Sequence, residues 1–563
     1  MKKKQLYIDL SVGILIILLV NVISNKISTR FDLTKENRFT LSDASKNLIS
    51  ELDDIVYVKV FLEGDLPSGF KRLRNSIEET LNEYRDISNG NLEYEFINPS
   101  ESTDKKVRNS IFNQLVEKGI QPTNLHYKNE GGTSQKIIFP GALVYYKGKE
   151  LPVQFLKSKM GENSETMLNN SVETVEFELA NALRKLAKTF RPKIAFTSGH
   201  GELNGVSVED IKLTLKETYD VEEVNLQENL PNKLMDFAAV IIAKPTQKFN
   251  EKDKFKIDNY VMHGGKVLWL IDALHASMDS LRDGNPYLAM NYELNLEDQL
   301  FIYGARINPD MINDLKCTPI PIITGMVGDQ PQQMLLPWMF FPLVSSNSTH
   351  PIVNNLEAVQ CEFVNTIDTV GKNSSIKKTF LLNTSQYTKI LKSPVRIHLD
   401  MLRNEPDQKQ FNKPYKPVAV LLEGKFPSVF TKRLDERTKK MLDSLKIEFK
   451  TESTPTKMIV ISDGDIIKND FRSSDGLPYP LGFDRFTNKT FGNKNFILNC
   501  IDYLCDDSGV IGIRSKEITV RLLDKLRIEK ERTTWQVINI IIPLVFLGLF
   551  GVFYNYRRKK AFV

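Results

Sequence analysis

Two uninterrupted apolar runs bracket a long stretch of mixed pattern. Val537 to Phe553 is apolar or small at every position except Asn539, with Trp535 before it and Tyr554 and Tyr556 after it. That length and those aromatic flanks predict a membrane-spanning helix over 536–554. Pro543 inside the run is tolerated in a bilayer, where local adjustments satisfy the freed carbonyl. Near the other end, Leu6 to Ile23 holds an almost wholly aliphatic centre, Leu10 to Val20, and no small-residue cleavage site follows it. A retained anchor over 6–24 is therefore expected rather than a removed signal peptide.

Between the runs the periodicity changes twice. After a polar connector, Ser42 is placed to cap a helix running to about Leu52. Ile55–Leu62 alternates as a strand, Phe70–Ile87 has helical spacing, Leu92–Ile97 is a second strand and Asp104–Lys118 a second helix. Lys136–Tyr146 with Leu151–Phe155 reads as a hairpin, and a helix over about Glu173–Lys188 closes the unit. This order predicts a thioredoxin-like α/β domain over 25–190. With no cysteine in that half of the chain, such a fold serves as a binding scaffold and not for redox chemistry.

Arg191-Pro192 opens the next unit, expected over 191–514. Strands at Lys193–Thr197, Val221–Leu226, Phe237–Ile242 and Lys266–Ile271 alternate with helices at Val206–Tyr219 and Glu251–His263, the pattern of a mostly parallel sheet of flavodoxin or amidotransferase type. From about 273 to 413 the pattern loosens into an insertion, with strands expected at Glu362–Val370 and Thr379–Leu382 and prolines that forbid long helices. Trp338–Phe341 there is either an exposed partner-binding patch or buried against the sheet. Strands at Val418–Leu422 and Lys457–Ile461 and a helix at Asn493–Cys505 resume the unit. Ser515–Trp535, with Ile518, Leu522 and Leu526 among basic residues, predicts an amphipathic membrane-proximal helix over 515–535.

Charge fixes the expected orientation. Lys2, Lys3 and Lys4 precede the first run, and Arg557, Arg558, Lys559 and Lys560 follow the second. Both ends, 1–5 and 555–563, are thus expected in the cytoplasm, and the long middle on the far side of the membrane. Setting those seven cations and Asp9 aside leaves 68 basic against 69 acidic residues, so the pI near 8.6 is a property of the flanks and gives no support for nucleic-acid binding. Four cysteines, none before Cys317, make no disulfide framework. Cys500 and Cys505 read as buried apolar residues, and a Cys317–Cys361 bond stays open.

The chemistry-bearing candidates are few. Ser198-Gly-His-Gly-Glu202 follows a strand, where open α/β sheets gather ligands, and brings together a hydroxyl, an imidazole and a carboxylate. Hydrolase chemistry needs glycine where Phe196 stands, and an amidotransferase needs a nearby cysteine that is absent. Ser198, His200 and Glu202 therefore stand as a ligand-binding loop or a structural turn, with a membrane-tethered hydrolase as the alternative from another class. Ser462-Asp-Gly-Asp465 lacks the spacing of a calcium loop and reads as a capped turn. There is no phosphate-binding Gly-x4-Gly-Lys-Ser/Thr loop and no His-Glu-x-x-His, so neither ATP, another cofactor nor a metal is called for.

Several short motifs carry a resemblance over nearly the whole chain. They are Arg30-Phe-Asp-Leu-Thr with Phe39-Thr-Leu-Ser42, Thr197 to Glu202, His350-Pro-Ile-Val-Asn-Asn-Leu356 and Asn495-Phe-Ile-Leu-Asn499, closed by the basic helix, the span and Arg-Arg-Lys-Lys. In that order the chain resembles the Gldg family of ABC-transporter auxiliary proteins, most closely the gliding-motility-associated member labelled a substrate-binding subunit. The resemblance implies a two-pass inner-membrane protein with a large periplasmic domain. Its implied partners are a separate ABC permease, a cytoplasmic ATPase and other cell-envelope proteins, and its implied role is non-catalytic. A periplasmic scaffold without permease contact is the remaining alternative.

Overall fold

β-branched residues at alternate positions set the first sheet. In the structure, a computed structural model, residues 40–515 are described apart from short breaks, of which 157–163 is the longest, together with the helix Lys525–Ala561 and Val12, Gly13 and Ile16. The anchor expected at 6–24 lies almost wholly outside the described residues, as does most of the connector before Ser42. The chain divides into two units, Met1–Lys516 and Glu517–Val563.

Strands β1 (Val56–Val60), β2 (Leu92–Phe96), β3 (Thr123–Asn129), β4 (Gly132–Ile138), β5 (Gly141–Tyr146) and β6 (Lys149–Gln154) open the larger unit. Four of them form a sheet in the order β2-β1-β5-β6, with β1 parallel to β2 and antiparallel to β5. Helix α1 (Asp43–Ser50) is capped by Ser42, whose side chain accepts from the Ser45 N–H. Val56, Val58 and Val60 pack with Leu73, Ile77 and Leu81 of α2 (Ser68–Ile87). Leu143, on the other face of β5, packs with Leu115 of α3 (Lys105–Glu117) and with Phe139. The single arm expected over Lys136–Tyr146 divides at Phe139-Pro140, because proline has no N–H for a ladder. Lys136–Ile138 belongs to β4, which pairs with β3, and only β5 pairs with β6. Helix α4 (Ser164–Ala187) completes this part and begins earlier than its periodicity suggests.

The rest of the larger unit is built on one sheet. Before the loose region come β7 (Lys193–Ser198), β8 (Asp220–Asn225), β9 (Ala239–Ala243) and β10 (Val267–Leu270). Within it lie β11 (Tyr287–Ala289), β12 (Ala305–Ile307), β13 (Asp310–Asp314), β14 (Cys317–Val327), β15 (Gln330–Val344), β16 (Val359–Gln360), β17 (Ile367–Thr369), β18 (Ile376–Asn383), β19 (Thr388–Lys392) and β20 (Val395–Ile397). After it follow β21 (Pro417–Gly424) and β22 (Thr456–Ile461). The sheet order is β18-β21-β22-β10-β9-β7-β8, so strands from both sides of the loose region share one sheet and β18, from inside it, forms an edge. β8, β7, β9, β10 and β22 are mutually parallel, β21 runs antiparallel to them, and the edge strand β18, antiparallel to β21, runs in the direction of the parallel set. Both faces are covered, one by α5 (Glu209–Lys216) and α8 (Asn493–Cys505), the other by α6 (Glu251–Met262) and α7 (Glu297–Tyr303). Burial on two faces is why β9 and β10 read as continuous apolar runs. The helix expected from Val206 to Tyr219 is a 3-10 turn over Gly205–Val208 followed by the shorter α5, and only β17 forms within the strand expected at Glu362–Val370.

Five prolines sit in the ribbon β14–β15, where most positions have a free edge that tolerates a missing N–H. Trp338 and Phe340 are fully buried beside Phe363, Met311 and Val395, so of the two readings of this stretch the structure selects burial. Cys317 lies opposite Pro342 on β15, and Cys361 hydrogen-bonds to Pro342 from its other side. An intervening strand sets two backbones about 10 Å apart, beyond disulfide reach. All four cysteines are free.

The two parts of the larger unit meet at α4. Its Arg184 is almost fully buried, 3.6 Å from Asp502 of α8, and Tyr219 donates to the same carboxylate at 2.5 Å. Beside this pair, Phe177 and Ala180 of α4 pack on Val510, Ile511 and Ile513 of a 3-10 turn over Val510–Ser515. The second unit contains one long helix, α9 (Lys525–Ala561), which runs without interruption through Pro543. The membrane-proximal helix expected over 515–535 is helical from Lys525, within α9, while 516–524 lie outside the described residues. Among the described residues α9 alone is long and apolar enough to cross a membrane, over Glu531–Lys560, within which an 18-residue stretch has mean hydropathy 2.4. From Val537 to Phe553 it is apolar on every side apart from Asn539, and largely exposed.

Candidate functional site

In the main sheet the chain moves from β7 outward to β8, then returns to place β9 on the other side of β7. Ligand crevices of parallel sheets form at such reversals, outside the carboxyl ends of the strands. Here the crevice receives the loop after β7, which holds Ser198, His200 and Glu202.

The loop is folded inward. Gly199 and Gly201 take φ of +109° and +73°, and a Cβ on Gly201 would stand 2.1 Å from Thr246 Oγ1, so the turn requires glycine twice over. The His200 carbonyl accepts N–H bonds from Thr246 and Gln247, both at 2.9 Å, which ties the loop to the segment after β9. The imidazole is 1% exposed and stacks on Phe249 with ring centroids 3.8 Å apart. Its Nε2 lies 3.2 Å from Asp253 on α6 and its Nδ1 3.8 Å from Glu202, yet neither nitrogen has a well-directed hydrogen bond. Glu202 accepts the His200 N–H at 2.6 Å. Burial alone would raise its carboxyl, but the His200 ring and the surrounding backbone N–H groups outweigh this and hold it below the usual range. No hydrogen bond joins Ser198 to His200, and Ser198 keeps only partial exposure. The three residues share a loop without forming a nucleophile and base, and His200 and Glu202 present no open face.

Next to this loop along the same edge is a grouping that sequence reading missed. Lys244, at φ +51° after β9, lies 3.2 Å from Asp272 after β10 and also pairs with Asp465 after β22. Gly464 permits the approach, since a Cβ there would meet the Lys244 side chain at 2.6 Å. Asp463 is fully buried, accepts from the Glu362 and Asp465 N–H groups at 2.8 Å each, and serves as the capped turn expected at Ser462–Asp465. Burial, then the charges of Asp272 and Asp465, push the Asp463 carboxyl well above its ordinary value. Burial and the Asp465 charge likewise push Glu362 up to about 7. The Lys244 ammonium occupies the centre, and among the described residues no group of three or more His, Cys, Asp or Glu is arranged to hold a metal ion. Only Asp463 and Asp465 are neighbours in sequence, which is why the cluster could not be read there.

A carboxyl raised by folding binds its proton more tightly in the folded state. Its stabilising effect is therefore full below the ordinary value of 4.5 and is lost as pH rises through about 7. Glu362→Gln should accordingly stabilise the protein at pH 8 by on the order of 1–3 kcal/mol and give no gain at pH 4. Thermal unfolding of both proteins across that range is the check, and an equal effect at both pH values would contradict it.

Two of the resemblance motifs prove to be packing devices. His350 Nδ1 accepts the Ile352 N–H at 3.3 Å, and burial with the nearby lysines pushes the ring down to about 4, so it stays neutral. Asn499 donates to the Ile352 carbonyl at 2.8 Å, which latches the His350–Leu356 turn to α8.

These features define an α/β protein with one apolar helix fit to anchor it in a membrane, and with no assembled nucleophile or metal centre among its described residues. The auxiliary-protein family described as an ABC-type uncharacterized transport system matches residues 191–500, more than half of the chain, and the chain belongs to that family. Residues 35–145 match a domain family of unknown function. An uncharacterized protein of Borreliella burgdorferi is 21% identical over 99% of each chain. The solved mmIFT52 N-terminal domain aligns over 55% of this chain and 96% of its own, at 12% identity and a TM-score of 0.30, too loose a match to inform the fold.

Proposed function

We propose that this chain is a non-catalytic, membrane-anchored auxiliary subunit of an ABC transport complex, working with a separate multi-span permease and a separate cytoplasmic ATPase. The observation that carries the reading is that the sheet's ligand crevice is filled by its own buried His200 and Glu202, in a chain of a transport-system auxiliary family. Such a chain does no chemistry at that edge and acts by what it touches.

On this reading residues 25–190 are a thioredoxin-like scaffold and 191–514 a flavodoxin-like domain with an insertion. The strand orders β2-β1-β5-β6 and β8-β7-β9-β10-β22 support both assignments. Residues 6–24 and 536–554 cross the inner membrane, both ends are cytoplasmic, and the body is periplasmic. The basic flanks support this orientation. ATP hydrolysed by the partner changes the permease, and the spans relay the change to the body. The turn Val510–Ser515 precedes the second span in the chain and packs on α4 where the two parts of the body meet, which supports a relay through it. The resemblance of its motifs extends the proposal to gliding motility as the process served.

Co-purification from detergent-solubilised membranes tests it. The expected result is recovery of a multi-span permease and an ATPase in constant ratio to this chain. Recovery of envelope proteins without either would favour the plain scaffold and overturn the proposal.

A further inference from the structure

An open groove of 660 Å³ lies away from the crevice, between the start of β14, the β18–β19 loop and the segment before β21. Its walls carry Tyr387 and Tyr415, 48% and 54% exposed, with Asn383, Gln386, Gln408 and Lys316 around them. Large aromatic side chains left half in water need an explanation when they stand together on a groove. Their burial would release apolar area, and each has a hydroxyl that asks for a polar partner.

The groove is rigid beneath these side chains. Asp314, fully buried, accepts from the Ser385 N–H at 2.9 Å, the Ser385 hydroxyl at 2.6 Å, the Thr388 hydroxyl at 2.8 Å and the Lys316 N–H at 2.7 Å. The Tyr387 N–H donates to the Ser385 hydroxyl at 2.9 Å, and the Tyr415 N–H to the Ser385 carbonyl at 3.0 Å. Tyr415 is held at φ +53°, a conformation uncommon for an aromatic residue and maintained only where the surroundings impose it. One buried carboxylate thus fixes the loop on which one tyrosine stands and to which the other is tied. The side-chain amides of Asn383, Gln386 and Gln408 are uncommitted to any other described residue.

We propose that this groove binds a carbohydrate chain. A pyranose ring offers an apolar face of C–H groups and an equatorial rim of hydroxyls. Exposed tyrosine rings match the face, and free amides, each with donor and acceptor, match neighbouring hydroxyls. The side chains lining the open groove include one cation and no exposed carboxylate, which suits a neutral or weakly acidic glycan. Leu315 is the sole aliphatic side chain in the lining, so there is no pocket of the kind that anchors a peptide side chain. The proposed periplasmic location supplies the source of such glycans, and to that extent the inference rests on it. Binding by the purified protein does not.

The test uses the full-length protein in detergent with three probes, chitotetraose, maltotetraose and a linear β-1,3-glucan tetramer, read by titration calorimetry and saturation-transfer NMR. At least one should bind with a Kd below about 1 mM. Tyr387→Ala with Tyr415→Ala should weaken it by tenfold or more, and Gln386→Ala by about threefold, with thermal unfolding and permease recovery unchanged. Absence of binding by all three probes at 10 mM would overturn the proposal. So would affinity indifferent to the tyrosine pair, or tyrosine-dependent capture of tetrapeptides in place of sugars. Failure here with intact permease recovery would leave the subunit assignment standing.

Discussion

Asp502→Ala is expected to destabilise the folded body by about 3–5 kcal/mol, the cost of leaving a buried charge without its partner. Arg184 is 3% exposed, its Nε has no hydrogen-bond partner, its guanidinium donates to the Asn181 side-chain Oδ1 at 2.8 Å, and Asp502 lies 3.6 Å away. Removing Asp502 strands the guanidinium and also frees the Tyr219 hydroxyl that donates to it. Because α4 and α8 come from the two parts of the body, the loss should appear as proteolysis at their junction before global unfolding. Replacing both residues with apolar ones, Arg184→Met with Asp502→Leu, should recover most of the stability, since the pair's net contribution is far smaller than the cost of breaking it. Denaturant unfolding of the detergent-solubilised chain measures both. A single substitution within about 1 kcal/mol of the parent would show that water reaches the junction and screens the charge.

β9 and β10 were legible because every residue is apolar, which follows from burial on both faces. The loop after β7 was legible as a site position because its strand, glycines and polar residues are contiguous. Its burial was not, because Phe249 and Asp253, which enclose His200, come from a segment some fifty residues later. Lys244, Asp272, Glu362 and Asp465 are likewise assembled by the sheet from four separate connections. The Lys136–Tyr146 run looked continuous because its apolar pattern persists through the proline that ends β4's pairing. The β14–β15 ribbon was illegible for the opposite reason, since it carries five prolines that argue against regular structure, in a ribbon where most positions have one free edge.

The second large effect is expected at His200. His200→Ala removes a ring packed on Phe249 and bounded by Asp253 and Glu202, and should lower stability by about 2–4 kcal/mol through the cavity it leaves. Protein abundance in the membrane should fall, while activity per molecule of assembled complex stays near that of the parent. Ser198 gives the cleaner comparison, since it is partly exposed and bonded to neither His200 nor Glu202 through its side chain. Its replacement by Ala should change stability by no more than about 0.5 kcal/mol.

Complementation of a deletion strain by Ser198→Ala, scored together with protein level and permease recovery, is therefore the most direct measurement of whether this chain has chemistry of its own. A subunit that works only through its partners predicts full restoration. Loss of function with level and assembly intact would mean that the Ser198 hydroxyl does work of its own, as a nucleophile or in binding a ligand, and would contradict the account.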